Sequence, residues 1–128
     1  MSLRSPMSRV LGLGAAKEGA AHWWLQRLTS VALVVLTLWF VAALLAFGRL
    51  GYDAMHAWIA RPVNASLSIL LIVVLVYHSQ LGVQVVLEDY VAHEGWKLAT
   101  LITSNFLHIV LGALGVFAVL RIGFGSGA

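Results

Sequence analysis

Two histidines, His78 and His108, lie inside long stretches of apolar sequence that contain no Asp, Glu, Lys or Arg. An ionisable side chain is costly inside a membrane, so each histidine is a candidate functional group if its stretch crosses a bilayer. A buried imidazole can bind a metal or haem iron, relay protons, or hydrogen-bond to a neighbouring helix. Because the chain has no cysteine, a redox centre here must use histidine or be held by another subunit.

The sequence around His78 places a glycine and an acidic residue on the same helix face. At 100° per residue, Gly82 lies one turn from His78, and Asp89 lies about 16 Å along the axis, near the membrane surface. A glycine beside a histidine lets a flat macrocycle approach the backbone. The pattern indicates a haem ligand and, with equal weight, a histidine that bonds to Ser or Thr on a neighbouring helix. The apolar members of this face are Leu71, Leu75 and Val85.

The sequence around His108 favours helix packing. Ser104, Asn105 and Gly112 lie on the same side of their apolar stretch. Small and polar residues of this kind form hydrogen-bonded seams between membrane helices. The alternative is that His108 is an axial ligand facing His78 across one haem inside this chain.

Arg27 and the pair Asp89–Tyr90 lie at the ends of apolar stretches. The Arg27 guanidinium can extend to lipid phosphates, or it can bind a haem propionate or lie near a quinone head group. The Tyr90 phenol can donate a hydrogen bond to a quinone carbonyl, while Asp89 orients the phenol or passes protons from water. The alternative is a tyrosine of the aromatic belt beside a helix-end acid. Trp39 lies inside a span and is a packing candidate, whereas the belt candidates are Trp23, Trp24, Trp58 and Trp96.

The elements that position these residues are predicted to be membrane helices. Of the 128 residues, 61% are apolar and 10% are charged, whereas soluble domains have about 25% charged residues. A chain with a mean hydropathy of +0.94 cannot bury this excess inside itself. The 8 Lys and Arg residues are scattered singly, which excludes nucleic-acid binding despite the net charge of +3. We therefore predict an all-α integral membrane protein.

Three uncharged stretches are long enough to cross a bilayer, which takes about 20 residues. They cover residues 28–47, 65–87 and 98–120. We predict one three-helix transmembrane domain over residues 25–128, preceded by a cytoplasmic or interfacial tail over residues 1–24 rather than by a signal peptide. Asn64 is a candidate N-cap of the second helix.

The basic residues predict that the N-terminus is cytoplasmic. Three spans then place the C-terminus outside, with five basic residues on the cytoplasmic side and three on the other. The cytoplasmic set is Arg4, Arg9, Lys17, Arg27 and Lys97, and the other set is Arg49, Arg61 and Arg121. On this topology the charged loop over residues 88–97, with the pair Asp89–Tyr90, faces the cytoplasm.

Two motifs resemble a known family. Residues 77–91, YHSQLGVQVVLEDYV, resemble the second-helix signature of the small cytochrome b membrane anchor of succinate dehydrogenase, respiratory complex II. Residues 22–33, HWWLQRLTSVAL, are similar to the beginning of the first helix in alphaproteobacterial and mitochondrial-type members. The resemblance extends over essentially the whole chain, although the third helix matches only in hydrophobic character. The signature positions are met by His78, Gly82, Gln84, Val85, Asp89, Tyr90 and Val91.

The resemblance implies a role for each matched residue. His78 would be one axial ligand of haem b, with the other ligand supplied by a companion anchor subunit. Tyr90 would hydrogen-bond the ubiquinone carbonyl, and Asp89 would support that site. Arg27 would lie near the haem propionates and the quinone pocket. His22, a second candidate for the propionates, lies one residue closer to Arg27 than in the enterobacterial form.

The resemblance also implies partners and a setting. The chain would form half of a heterodimeric membrane anchor in a bacterial inner membrane, with a second cytochrome b anchor subunit, an iron–sulfur subunit and a flavoprotein subunit. Electrons from succinate would pass to ubiquinone near Tyr90, and the chain alone would not be catalytic because it contains no flavin or Fe–S motif. His108 has no role in the family pattern. The alternatives are the anchor of a fumarate reductase and a non-redox membrane scaffold or transporter subunit.

Overall fold

The computed structural model describes residues 16–48 and 51–125, and these residues are almost entirely helical. Within these ranges the helices are α1 (Ala16–Ala46), α2 (Tyr52–Ile59), α3 (Pro62–Tyr90) and α4 (Glu94–Gly125). No strand occurs within the described ranges. The predicted all-α class is therefore confirmed. Arg4, Arg9 and Arg49, which entered the orientation argument, lie outside these ranges.

Three of the helices, α1, α3 and α4, are long and apolar enough to cross a membrane. α3 and α4 contain the predicted spans 65–87 and 98–120 and extend beyond both ends of each. α1 begins at Ala16, so part of the segment predicted as a tail is helical. Only 6% of the most apolar window of each long helix is buried. Most of this apolar surface must therefore be covered by lipid or by other subunits.

The ends of the helices have local causes. α1 ends just before Gly48, whose φ of 57° is the left-handed conformation that glycine adopts most readily. α3 begins with Pro62 directly after the N-cap Arg61, a position where the missing N–H of proline costs nothing. The prediction that Asn64 caps α3 is wrong. Asn64 lies inside the first turn and donates its side-chain amide to the Trp58 carbonyl at 2.9 Å, which joins α2 to α3.

The long helices pack with α3 in the middle. α3 contacts both α1 and α4, whereas the described parts of α1 and α4 do not contact each other. Thr29 contacts His78 and Gln26 lies next to Gly82, so α1 and α3 run antiparallel. The N-terminal part of α1 and the C-terminal end of α3 therefore share one end of the bundle. The short helix α2 lies at the other end, where Trp58 stacks on Trp39 with ring centroids 5.2 Å apart.

Glycines allow α3 and α4 to approach closely. A Cβ atom at Gly112 would lie 3.5 Å from Val76 Cγ1, and one at Gly115 would lie 3.1 Å from Ile72 Cγ2. Further along α4, a Cβ atom at Gly123 would lie 3.8 Å from the Ala65 Cβ. Small residues of this kind let membrane helices gain van der Waals contact along their length.

We expect Gly115→Val to destabilise the packing of α4 on α3 by about 1–3 kcal/mol, because the Cβ atom alone would lie 3.1 Å from Ile72 Cγ2 and the Ile72 side chain must shift to admit the added methyl groups. The double variant Gly115→Val/Ile72→Ala should recover part of this loss. Gly19→Val is the control, since a Cβ there meets nothing within 4 Å. Unfolding by SDS in detergent micelles, followed by circular dichroism, measures the effect. An equal loss in the Gly19 variant would contradict the assignment of the effect to this contact.

Candidate functional site

His78 lies in the middle of α3 and faces α1. Its Nδ1 atom lies 2.8 Å from the Oγ1 atom of Thr29, a residue with only 9% of its surface exposed. The Nε2 atom of His78 forms no hydrogen bond with the described residues. The interhelical bond to Thr is one of the two alternatives that the sequence left open. It does not exclude the other, because it occupies only one of the two ring nitrogens.

Gly82 lies one turn from His78, also facing α1. A Cβ atom built on Gly82 would lie 3.8 Å from Nε2 of Gln26, which is ordinary van der Waals contact. Within this chain, the Gln26 amide therefore covers the gap left by the missing side chain. A macrocycle lying against Gly82 would require the Gln26 amide to move aside.

A line of polar residues on α1 faces this part of α3. His22, Gln26 and Thr29 are spaced i, i+4 and i+7, so they lie on one helix face. Nε2 of His22 and Oε1 of Gln26 are buried and have no hydrogen-bond partner among the described residues. A buried polar atom without a partner is costly, so a hydrogen bond from a group other than the described residues would stabilise these atoms. Gln26 and Thr29 were not among the residues predicted for this site, although their helical spacing from His22 was a usable signal.

Arg27 lies on a different side of α1. Its side chain is exposed, and its guanidinium carbon lies 4.8 Å from the centroid of the Trp23 ring. This distance is typical of a cation–π contact. The contact lies at the end of the bundle where α3 terminates. Arg27 is thus not part of the His78–Thr29 contact, and its guanidinium remains open to a carboxylate supplied from outside the chain.

Asp89 and Tyr90 are the last two residues of α3. Both are exposed, and Tyr90 has 84% of its surface accessible. Neither side chain forms a hydrogen bond with another described residue, whereas the neighbouring Glu88 accepts one from Gln84 at 2.8 Å. The exposed pair can therefore bind a group outside this chain. Along the helix axis, at about 1.5 Å per residue, Asp89 lies about 16 Å and Tyr90 about 18 Å from His78.

His108 lies on the α3–α4 side of the bundle. Its Nδ1 atom lies 2.8 Å from the Ser104 carbonyl oxygen, and its Nε2 atom lies 3.2 Å from Oγ of Ser79. Beside it, Gln80 donates to Oδ1 of Asn105 at 2.9 Å. Both ring nitrogens of His108 are thus engaged within the seam, which supports the packing interpretation. His78 contacts α1 instead, so this chain does not bring the two histidines together as one ligand pair.

The tryptophans divide into two groups. Trp39 and Trp58 pack together with Phe40 and Phe47, which fixes α2 against α1. This contact agrees with the packing role predicted for Trp39. Trp58, predicted as a belt residue, is half-buried in the same cluster. The exposed tryptophans are Trp23, Trp24 and Trp96.

Comparison with known proteins identifies relatives along nearly the whole chain. Residues 1–120 match the family described as succinate dehydrogenase/fumarate reductase transmembrane subunit. The chain is 30% identical over 122 residues to the succinate dehydrogenase hydrophobic membrane anchor subunit of Paracoccus denitrificans, covering 95% of this chain and 94% of that protein. It is 29% identical over 116 residues to the protein of the same name from Rickettsia bellii, covering 91% and 93%.

These matches confirm the resemblance that the motifs around His78 and His22 indicated. They agree with the architecture, in which three helices are long and apolar enough to make this a multi-pass membrane protein. The chain belongs to the succinate dehydrogenase/fumarate reductase transmembrane subunit family.

Proposed function

We propose that this chain is the hydrophobic membrane anchor subunit of a succinate:ubiquinone oxidoreductase. In this role it binds haem b together with a companion anchor subunit and contributes to the site where ubiquinone is reduced. The observation that carries the proposal is the His78 imidazole. It is held at Nδ1 by Thr29, it has no partner at Nε2 among the described residues, and it lies on the helix that carries the family signature.

The residues around His78 fit a haem. An axial ligand needs one free ring nitrogen and is usually oriented by a hydrogen bond at the other, which is the arrangement of His78 and Thr29. The half-exposed position of His78 on the bundle surface leaves room for a second ligand from a companion subunit. When bound, the haem iron supplies a one-electron redox centre. His78 would hold it near the middle of the membrane.

The α1 residues are proposed to bind the haem propionates. The Arg27 guanidinium is exposed and can form a bidentate pair with a carboxylate. His22 presents a buried Nε2 without a partner among the described residues, which a propionate oxygen would satisfy. Both residues lie in the part of α1 that shares an end of the bundle with Tyr90.

Asp89 and Tyr90 are proposed to serve the quinone. The Tyr90 phenol donates a hydrogen bond to a ubiquinone carbonyl and stabilises the negative charge that develops on that oxygen as electrons arrive. Asp89 lies beside it at the membrane surface, where a carboxylate can exchange protons with water. Two electrons and two protons complete the reduction to ubiquinol. The electrons originate from succinate and reach this site through a flavoprotein and an iron–sulfur subunit.

The exposed apolar faces of α1 and α3 are proposed to pack against the second anchor subunit and lipid. The iron–sulfur and flavoprotein subunits would dock at the end that carries Tyr90. The setting proposed is a bacterial inner membrane with a cytoplasmic N-terminus, which places Tyr90 on the side where succinate is oxidised. The family description also includes fumarate reductase, so the same anchor operating in the opposite direction is the second candidate.

Gly82→Ala tests whether a macrocycle lies against α3. The added methyl would meet only Gln26 within this chain, at 3.8 Å, so we expect the fold to be unaffected. A haem beside Gly82 would clash with it, and overpacking of this kind should weaken haem binding by about 1–3 kcal/mol. Haem content per complex, from the pyridine haemochromogen spectrum, measures the effect.

Gly112→Ala is the matched control for this variant. Its added methyl meets Val76 at 3.5 Å on the α4 side of α3, away from the His78–Thr29 contact. We expect this variant to retain haem. Full haem occupancy in the Gly82 variant would show that no macrocycle lies beside that residue.

A further inference from the structure

We propose that Thr29 is the positioning residue of the haem ligand. Its hydroxyl oxygen accepts the Nδ1–H of His78 and so leaves the lone pair on Nε2, the atom that would bind iron. This inference rests on the proposed haem ligation by His78, and it assigns to α1 a role in setting the properties of the haem.

The hydrogen-bond geometry of Thr29 determines which atom is the donor. Oγ1 lies 2.7 Å from the Leu25 carbonyl oxygen, 3.1 Å from the Gln26 carbonyl oxygen and 2.8 Å from Nδ1 of His78. A hydroxyl has one hydrogen to donate, and carbonyl oxygens only accept. The hydroxyl therefore donates its hydrogen to these carbonyl oxygens and has none left for Nδ1 of His78. The contact with His78 is then a hydrogen bond only if Nδ1 carries the hydrogen.

The opposite assignment leaves an unfavourable contact. If Thr29 donated to Nδ1, its oxygen would face the Leu25 carbonyl oxygen at 2.7 Å with no hydrogen between them. Thr29 is 9% exposed, so water has little access to relieve this repulsion. The neutral imidazole carries a single hydrogen, and placing it on Nδ1 leaves Nε2 unprotonated and able to bind a metal.

The bond has a consequence for the electronic properties of the ligand. An acceptor at Nδ1–H makes the imidazole a stronger donor to the metal, and loss of such a partner typically costs 10–100-fold in metal affinity. A stronger donor favours the ferric state. Removing the Thr29 hydroxyl should therefore move the midpoint potential of the haem to more positive values and weaken its binding.

The test compares three variants of the assembled complex. Thr29→Val removes the hydroxyl while keeping a branched side chain of similar shape, and Thr29→Ser restores the hydroxyl. Ser30→Ala is the matched control, since the Ser30 hydroxyl bonds to the Gln26 carbonyl at 2.7 Å but does not contact His78. The measurements are a redox titration of the haem, its low-spin ferric EPR spectrum, and haem retention during dilution.

We expect Thr29→Val to raise the midpoint potential of the haem and to shift its EPR spectrum. The affinity of the complex for haem should fall about 10–100-fold. Thr29→Ser and Ser30→Ala should resemble the parent complex. An unchanged potential and haem retention in Thr29→Val would overturn the inference, as would an equal shift in Ser30→Ala. Failure of Thr29→Ser to bind haem would also overturn it, because the hydroxyl would then not be the group that matters.

A second measurement separates this inference from the haem proposal itself. The full chain, labelled with 15N-histidine in micelles without haem, reports the tautomer of His78 directly, and a His78→Gln variant assigns the signal. We expect hydrogen on Nδ1 in the parent chain and loss of this preference in Thr29→Val. Hydrogen on Nε2 in the parent chain would refute the role of Thr29. A parent complex without haem would refute the proposed function instead.

Discussion

Replacing His78 with alanine is expected to remove the b-type haem from the purified complex or to change its spectrum strongly. The imidazole is the proposed haem ligand from this chain. The neighbouring Thr29 has no nitrogen that could bind the iron in its place. A dithionite-reduced minus oxidised spectrum, normalised to complex by quantitative gel staining, measures the loss. We expect the reduced haem band to fall to a small fraction of its parent intensity.

His108→Ala is the control for this substitution. His108 is also a half-buried histidine inside an apolar helix, but both of its nitrogens bond within the α3–α4 seam. Interhelical hydrogen bonds in membranes contribute about 0.6 kcal/mol on average, so we expect a small loss of stability with haem retained. Normal reduced haem in the His78 variant, or haem loss only in the His108 variant, would contradict the assignment of the ligand.

Tyr90→Phe is expected to impair quinone reduction and to spare succinate oxidation by a soluble artificial dye. The substitution keeps the ring and removes the phenol hydrogen, which is the proposed donor to the quinone. A hydrogen bond to an oxygen that becomes charged contributes about 1.5–3 kcal/mol, so quinone reduction should fall about 10- to 100-fold. Comparing the two assays on the same membranes measures the effect.

Tyr52→Phe provides a matched control. Tyr52 is exposed to a similar degree, at 81% against 84% for Tyr90, but it begins α2 at the other end of the bundle. We expect both activities to be retained in this variant. Equal loss of dye and quinone activity in Tyr90→Phe would mean that the substitution damages assembly, whereas unchanged quinone reduction would remove Tyr90 from the quinone site.

The long helices were accessible from the sequence because their signal is strong and local. Each span is an uncharged run of about 20 residues, and in lipid a helix satisfies all of its backbone hydrogen bonds within its own segment. The motif around His78 was accessible because its residues recur at helical spacing on one face. The packing role of His108 followed from its neighbours Ser104 and Asn105, since small polar residues form such seams.

The features that could not be predicted from the sequence depend on which helices pack against each other. Thr29 and Gln26 acquire their significance only because α1 packs antiparallel to α3 and brings them to His78 and Gly82. The sequence left open whether a Ser or Thr on another helix bonds to His78, and no local pattern identifies that residue. The prediction of Asn64 as an N-cap failed for a similar reason. Its side-chain amide donates to a carbonyl of α2, a contact that depends on how α2 and α3 pack.

The most direct test of the central claim is a reduced minus oxidised spectrum of material purified through a tag on this chain, with its co-purifying proteins identified. We predict a b-type haem band, together with a second hydrophobic anchor, an iron–sulfur subunit and a flavoprotein. Succinate should reduce ubiquinone in the same preparation. A colourless preparation without these partners would contradict the account and would leave His78, like His108, as a packing residue.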